Sequence, residues 1–395
     1  MSKRDFHMIY RQHLSVITDR VIRLSLSEHE ETSKQINLFD SYLLSFSKFI
    51  QLRSLSINGA RSYKILVKIT DEYHHLCNLT HLNFYNCSLE DNQADFRLIV
   101  NSIWSFSKLV HCNFNIDIKG KKFFPMPKKI SSSLELLSIY GSTLKLNEIN
   151  RLFEYTNRLK SLSINVEFDD DNNNYILSSF TTLIELHISC SHRLVISEMI
   201  SLLQNTPNLR RLNVSLWFNF IDGHQWEQII RNYLPKLKIF QLGMEETLSF
   251  DQNIEEQVDE LINSFRSSFR IDEHQWFVRC IIQKKTIYLY TISKIFYTYD
   301  SVLFGSLKST DPQNNQQKFY NNMTSIVNET FFDQLIPSYI RLANIEYLWI
   351  KLPINDQFWS IVPSLNRLYS LTVVSYIDTF QSQLKALLNR APRLR

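Results

Sequence analysis

A short hydrophobic phrase, Leu-x-x-Leu-x-(Ile/Phe/Val), returns many times along the chain. The last apolar positions of each copy alternate with polar ones, which is typical of a β-strand with one buried face. Six copies match closely and begin at Leu52, Leu79, Leu134, Leu159, Leu183 and Leu209. Looser copies begin at Val21, Leu109, Leu237, Ile345 and Leu368. The pattern therefore predicts a series of short strands that are built alike.

The spacing of these copies is nearly constant, since successive copies between Val21 and Leu237 start 24 to 31 residues apart. Apolar residues at helical spacing follow the strands, as in the set Val195, Met199, Ile200 and Leu203. A strand followed by a helix at a period of roughly 20–29 residues is the signature of a leucine-rich repeat. We therefore predict an α/β fold, a leucine-rich-repeat solenoid with a curved parallel sheet on its concave side and helices on its convex side.

The common phrase also predicts how the strands pair. We expect the strands that begin near Leu52, Leu79, Leu109, Leu134, Leu159, Leu183, Leu209 and Leu237 to form one continuous parallel sheet in sequence order. The alternative is an ordinary α/β domain, whose strands would be apolar on both faces. The polar residues within these phrases favour the solenoid.

The phrase is absent between Leu237 and Ile345, so the chain divides into four segments. They are an N-terminal cap or linker helix (1–20), leucine-rich repeats (21–243), an irregular segment (244–340) and C-terminal leucine-rich repeats (341–395). The irregular segment contains two β-rich runs, Trp276–Ile282 and Thr286–Ile292, that predict a hairpin. It consists either of aberrant repeats that continue the sheet, which we favour, or of an insertion docked on it.

Each end of the chain offers little to cover a terminal repeat. Phe6–Ile17 predicts a short helix, and Phe380–Leu388 predicts a last helix before another phrase opens at Leu394. Because each repeat of a solenoid buries its flank against the next, we expect Leu384 and Leu388 to be partly exposed.

Composition and charge narrow the class of protein. The 43 basic and 39 acidic residues leave a net charge of only +4, which does not indicate nucleic acid or a membrane surface as a partner. No apolar stretch is long enough to span a membrane. Five scattered cysteines without a Cys-x-x-Cys pair suggest reduced thiols, and hence a cytoplasmic or nuclear location.

The sequence contains no motif that indicates a catalytic site or a bound cofactor. No phosphate-binding loop, nucleophile elbow or zinc-protease motif is present. The densest set of metal-binding residue types is His74, His75, Cys77 and His81. In the predicted fold these side chains diverge, so we expect no catalytic residue, no metal site and no cofactor.

The predicted concave face is the more informative feature. Its outward side chains are rich in groups that make adaptable hydrogen bonds without a strong field of one sign. We predict that a protein or peptide ligand binds there, through His81, Asn83, Tyr85, His111, Asn113, Asn115, Tyr140, Glu185, His187, Arg211 and Asn213. The alternative is that this face is simply solvated.

The phrases and helices, including LFDSYLLSFSKFIQLRSLSI and GHQWEQIIRNYLPKLKIF, resemble the leucine-rich-repeat part of F-box/leucine-rich-repeat proteins. The resemblance implies a substrate-recognition module of a ubiquitin ligase. In that family an N-terminal F-box binds a Skp-type adaptor, and the repeats hold the substrate. Only about 20 residues precede the first phrase here, so we expect the adaptor as a partner only if an F-box lies upstream. The alternative is a free-standing binding protein unrelated to ubiquitination.

Overall fold

The computed structural model describes residues 17–28, 36, 39, 46–61, 63–89, 93–119, 123–127, 130–168, 178–191, 195–218, 220–247, 253–283, 285–292, 306–311, 320–321, 323–326, 331–333, 336, 340–355, 357–373 and 381–394. The expected N-terminal helix therefore lies outside the described residues except at its end. The chain divides into two compact units, Met1–Asn219 with Gln228–Phe240, and Phe220–Glu227 with Gln241–Arg395.

The described residues form fifteen strands and eight α-helices. The strands β1 to β15 are Arg23–Ser27, Ser54–Asn58, His81–Leu89, His111–Ile118, Leu136–Lys145, Ser161–Glu167, Glu185–Cys190, Arg211–Trp217, Ile239–Thr247, Val278–Gln283, Thr286–Thr291, Ser306–Ser309, Ser325–Ile326, Tyr347–Ile350 and Ser370–Val373. The helices α1 to α8 are Tyr63–Asp71, Gln93–Ile103, Leu146–Tyr155, Ile196–Gln204, Gly223–Tyr233, Ile254–Ser264, Phe358–Ile361 and Gln381–Arg390. A π-helical turn, Phe269–His274, follows α6.

The larger sheet contains twelve of the described strands. Strands β1 to β9 follow one another in sequence order, and every pair from β1–β2 to β7–β8 is parallel. The predicted sequence order is thus confirmed, and the fold is α/β with a large, mostly parallel sheet. The remaining strands follow β9 in the order β11, β10, β12 and run antiparallel to their neighbours.

The irregular segment contains the predicted hairpin, since β10 and β11 pair antiparallel from Val278–Thr291 to Gln283–Thr286. Strands β10 to β12 continue the larger sheet, but because they run antiparallel they do not repeat the parallel strand unit that precedes them. A separate three-stranded sheet, β13–β14–β15, is parallel throughout.

A repeated backbone hydrogen-bond pattern links successive strands. At each junction two consecutive N–H groups donate to one carbonyl of the preceding unit, as Thr80 and His81 do to Arg53 O, both at 2.9 Å. The same pattern recurs in the small sheet, where the N–H groups of Glu346 and Tyr347 donate to Thr324 O at 2.7 and 3.0 Å. Strand β13 therefore lies within a further copy of the phrase, MTSI at 323–326, which the sequence pattern alone did not reveal.

Burial follows the alternation of the phrases. In each strand from β2 to β8 the apolar positions pair with one another across the sheet, as Leu55–Leu82 and Phe84–Phe114 do, and they are fully buried. The helices contribute the other side of this core through residues such as Trp226 and Leu202. Every second strand residue consequently faces the opposite side of the sheet.

The last helix, α8, buries less. Leu387 is fully buried, Leu384 is half-buried, and Leu388 is 48% exposed, as the sequence predicted for the latter two. Leu384 packs at the margin of a second hydrophobic cluster, which belongs to the small sheet and includes Leu348 and Phe358.

Candidate functional site

The eleven residues predicted to bind a partner all lie on one side of strands β3 to β8. We call this side, which continues onto β2, the polar face. It carries the alternate strand positions, mainly Ser, Asn, His and Tyr, whereas the intervening positions are buried. Because neighbouring strands are parallel and in register, equivalent residues form rows across the strands. The parallel pairing thus brings the predicted residues together on one surface.

The first row lies at the strand starts and contains His81, His111, Glu185 and Arg211. His81 pairs with His111, with ring centroids 5.6 Å apart. Glu185 pairs with Arg211, and the Glu185 Oε1 to Arg211 Nη1 distance is 3.7 Å. Both charged side chains are nearly half-exposed, so this ion pair contributes little to stability.

The middle row consists of small amides, hydroxyls and one imidazole. Asn83 pairs with Asn113, and His187 pairs with Asn213. Asn83 and Asn113 are each only 9% exposed. Asn83 Nδ2 donates to Ser56 Oγ at 3.3 Å, whereas the Oδ1 atoms of Asn83 and Asn113 accept no hydrogen bond. These two carbonyl oxygens are therefore buried without a hydrogen bond.

The third row contains Tyr85, Asn115 and Tyr140. The two tyrosines are 39% and 37% exposed. The hydroxyl of Tyr140 shares a 2.5 Å hydrogen bond with Ser163 Oγ on β6, and Asn115 Nδ2 donates to Asn86 Oδ1 at 3.5 Å. These tyrosines supply the large amphipathic contact area that is enriched at protein interfaces.

Both tyrosines lie where the strand pairing is irregular. The β3–β4 register shifts between Phe84 and Cys87, so the β3 residues Tyr85 and Asn86 lie opposite Asn115 of β4. The β5–β6 register shifts between Ile139 and Thr143. The residues after the tyrosines, Asn86 and Gly141, have φ of 49° and 79°. Such bulges reorient side chains at sheet surfaces.

Gly141 is the residue that permits the second bulge. A Cβ at this position would lie 2.5 Å from the Ile116 carbonyl oxygen. Together with its positive φ, this close approach requires glycine. Strand β5 therefore passes close to β4 immediately after Tyr140.

The two histidines nearest the centre of the face titrate below their ordinary range. Burial lowers the pKa of His111, and the neighbouring His81 lowers it further. Burial also lowers the pKa of His187, and Arg211 adds to this effect, while Glu185 and the hydrogen bond with Asn213 oppose it. Both imidazoles are therefore mainly neutral at neutral pH.

Three buried cysteines, Cys87, Cys112 and Cys280, hold their thiols in the protonated form. Burial raises the pKa of Cys87 to about 11 and that of Cys280 to about 12, and it raises the pKa of Cys112 as well. A protonated thiol is a poor nucleophile and a poor metal ligand.

The imidazoles of His74 and His75 lie together on a 3₁₀ turn, with centroids 3.9 Å apart. His81 lies at the start of β3. Among the residues that the structure describes, no group of three or more His, Cys, Asp or Glu side chains is arranged to hold a metal ion.

Among the polar-face side chains that were not predicted to bind, three are exposed and large or charged: Trp217, Leu136 and Asp117. Trp217 ends β8 and is exposed, as are Leu136 in the first row and Asp117 near the end of β4. Their alternation with buried residues places them on the same side as the predicted set. Extending the period-two pattern over the whole of each strand would have found them.

The sequence matches no model of a known protein family, and comparison with curated proteins finds no match either. Within the described ranges, no helix has the length and hydropathy that crossing a membrane requires.

Proposed function

We propose that this chain is a leucine-rich-repeat solenoid that binds a protein or peptide on its polar face and has no catalytic role. The repeated strand unit supports the solenoid. The two-donor junction and the regular order of β1 to β9 are what stacking of 24- to 31-residue repeats would produce. The smaller sheet, with phrases at Met323, Ile345 and Leu368, represents the same repeat in a shorter form.

The observation that carries the binding role is the exposure of aromatic side chains among aligned polar rows. Tyr85, Tyr140 and Trp217 are solvent-exposed, whereas Asn83 and Asn113 in the neighbouring row are nearly buried. Rigid aromatic groups surrounded by adaptable hydrogen-bonding groups are the composition of a protein-binding surface. The face also carries both Arg211 and Glu185, a mixture that favours a protein partner over a polyphosphate backbone.

A substitution on the polar face tests this role. Replacing His111, Glu185 and Arg211 together by Ala should weaken binding of a peptide selected on the whole chain from a random display library by about tenfold or more. The free energy of unfolding should change little, since a substitution at the protein surface usually changes it by no more than about 0.5 kcal/mol. Affinity is measured by titration calorimetry and stability by urea denaturation.

The matched control replaces His75, Arg97 and Glu154, which are exposed outside the sheet, and should leave the affinity unchanged. If the His111, Glu185 and Arg211 variant still binds the peptide but is less stable, these three residues are structural.

A narrower form of the proposal makes this surface the substrate receptor of a ubiquitin ligase. It rests on the resemblance of the repeats alone. Its test is whether a bound protein is ubiquitinated in cells in a manner that depends on this chain; a stable partner that is never modified favours a free-standing binding protein.

A further inference from the structure

Exposed cations gather where strands β6, β8 and β9 begin. In the phrases that start at Leu159, Leu209 and Leu237, basic residues surround the first leucine, and all of them are exposed. We call these six residues the basic rim: Arg158, Lys160, Arg210, Arg211, Lys236 and Lys238. They all belong to the first compact unit of the chain.

Backbone hydrogen bonds place three of these cations in one row. The N–H of Lys238 donates to Arg210 O at 2.9 Å, and the N–H of Arg210 donates to Ile184 O at 2.8 Å. The N–H of Ile184 in turn donates to Lys160 O at 2.8 Å. The row therefore crosses the strand starts from β6 to β9. Because adjacent strands are about 4.8 Å apart, it is about 14–15 Å long.

The rim carries more positive charge than the carboxylates beside it neutralise. Lys160 Nζ lies 2.7 Å from Glu135 Oε2, and Arg211 Nη1 lies 3.7 Å from Glu185 Oε1. Glu135 and Glu185 occupy the same strand-start positions as the cations. Six cations against two carboxylates leave an excess as large as the net charge of +4 of the whole chain. The positive charge is therefore concentrated at this edge.

The remaining cations of the rim have no charged partner in the part of the chain that the structure describes. Arg158, Arg210 and Lys238 form no ion pair there. Lys236 Nζ donates to the neutral Asn208 Oδ1 at 2.6 Å. Glu154, near the end of α3, accepts a hydrogen bond from Asn150 Nδ2 at 3.0 Å. These cations are therefore available to an anionic group of a partner.

The ends of the helices do not account for this charge. A cation stabilises a helix C-terminus only within about the last turn. Arg210 lies six residues beyond the end of α4 at Gln204, and Lys238 lies five residues beyond the end of α5 at Tyr233. Both are too far along the chain for that role.

We propose that the basic rim binds an acidic segment of the protein partner, whose aspartate or glutamate side chains pair with Arg158, Arg210 and Lys238. This inference rests on the proposed function and names the chemistry of the partner. Arg211 belongs both to the rim and to the first row of the polar face, so the two surfaces are continuous. One partner can therefore contact both, and its acidic segment steers it to the polar face.

A peptide fits this charge pattern better than a nucleic acid does. A nucleic-acid backbone carries a charge at every nucleotide, so it would bring phosphates against Glu135 and Glu185 as well as against the cations. A peptide can place its carboxylates opposite the unpaired cations alone. At about 3.3 Å per extended residue, four or five residues span the row.

The test uses peptides selected on the whole chain from a random display library, in which aspartate and glutamate should be enriched. A selected peptide is then synthesised with asparagine and glutamine at these positions, which keeps the shape and removes the charge. We expect the neutral peptide to bind about tenfold more weakly. The association rate of the acidic peptide should fall about tenfold as the NaCl concentration rises from about 50 to about 500 mM.

Variants of the chain locate the acidic segment. Arg210→Glu/Lys238→Glu should weaken the acidic peptide by about tenfold or more, because like charges then face each other. The control, Arg97→Glu/Arg151→Glu, makes the same change in net charge at exposed positions of α2 and α3 and should have no effect. A peptide with lysine in place of its carboxylates should recover binding to the Arg210→Glu/Lys238→Glu variant. The peptide substitutions need no variant protein, so they test the inference even if a variant fails to fold.

The outcomes separate this inference from the function on which it rests. Peptides that need His111, Glu185 and Arg211 but are not acidic, or that bind Arg210→Glu/Lys238→Glu equally well, overturn the basic rim and leave the proposed function standing. A single-stranded DNA oligonucleotide that binds the rim more tightly than any selected peptide overturns the acidic segment in favour of nucleic acid. The failure to select any peptide overturns both.

Discussion

At the scale of single residues, polar side chains tie one repeat to the next at the same position in the phrase. Asn78 Nδ2 donates to Ile50 O at 2.9 Å, and Asn78 Oδ1 accepts from Lys108 Nζ at 2.8 Å. Asn208 makes the equivalent pair of hydrogen bonds. Its Nδ2 donates to Thr181 O and its Oδ1 accepts from Lys236 Nζ, both at 2.6 Å. Each asparagine immediately precedes the first leucine of its phrase. Each asparagine therefore links three successive copies of the phrase in the turns that precede the strands. Without it, the backbone carbonyls there would rely on water for a hydrogen bond.

The histidines of the polar face make stability depend on pH. The pKa values of His111 and His187 are lower in the folded chain than their ordinary value of about 6.5. The unfolded chain therefore binds more protons between the folded and unfolded pKa values. The stabilising effect of the neutral form is complete above about pH 6.5 and is lost as the pH falls through the folded pKa values. We expect the urea midpoint to fall between pH 7.5 and 5.5, and to fall less in a His111→Gln/His187→Gln variant.

The His111→Gln/His187→Gln variant is compared with the unchanged chain because the two share every other titrating group. A fall as large in the variant as in the unchanged chain would contradict this assignment. Replacing exposed His74 and His75 by Gln is the control and should leave the pH dependence as it was.

At the scale of elements, the helices differ in how firmly they are anchored. Helix α5 buries Trp226, Ile229 and Ile230, and its first N–H, that of Gly223, donates to the buried Ser264 Oγ at 2.7 Å. Helix α3 begins with a capping interaction in which Glu148 Oε2 accepts from Lys145 N at 2.8 Å. Such contacts set the local opening energy of a helix.

Helix α8 should open more readily than α5. Both have ten or eleven residues, but the described residues of α8 bury only Leu387 fully. With less apolar area removed from water, local unfolding of α8 costs less free energy. We expect its amides to exchange at least tenfold faster than those of α5 in hydrogen-exchange mass spectrometry at neutral pH. Equal protection in the two helices would show that other contacts hold α8.

At the scale of the whole molecule, the chain has two compact units, each with buried apolar side chains of its own. In the first unit Phe114 stacks on Phe84 with centroids 5.7 Å apart and meets Phe124 edge-on at 5.4 Å. In the second unit Phe358 meets Phe332 at 4.7 Å and Trp359 at 4.9 Å. These aromatic contacts fill each core with large, rigid side chains.

Truncating one of these side chains should reveal how far its effect extends. Phe358→Ala removes a fully buried ring and should cost about 3–5 kcal/mol in the part of the molecule that it stabilises. We expect hydrogen-exchange protection to fall in β14, β15 and α8 and to remain unchanged in β3 to β5. Ser360→Ala, a neighbouring exposed position on α7, is the control. Loss of protection in β3 to β5 as well would show that the two units unfold together.

The sequence alone determined the features of the first unit that depend on local periodicity. The recurrent phrase predicted the order of the strands, and the alternation within it predicted which side of each strand is buried. Both succeed because a strand's side chains alternate regardless of what it pairs with, and because segments that share one phrase pair in sequence order in the sheet. For the same reason the eleven residues of the candidate site, from His81 to Asn213, lie on one face.

Only the tertiary structure decided the features that depend on a neighbouring strand. The alternating runs of β10 and β11 predicted a hairpin, but not that its second strand would pair with β9. The bulge at Tyr85 is a shift in the register of β3 with β4, and the bulge at Tyr140 is a shift in the register of β5 with β6. Gly223 likewise is required by distant residues, since a Cβ there would meet Ser264 and Arg270. Pairing partners, register shifts and close approaches of backbone join residues far apart in the chain, so no local pattern encodes them.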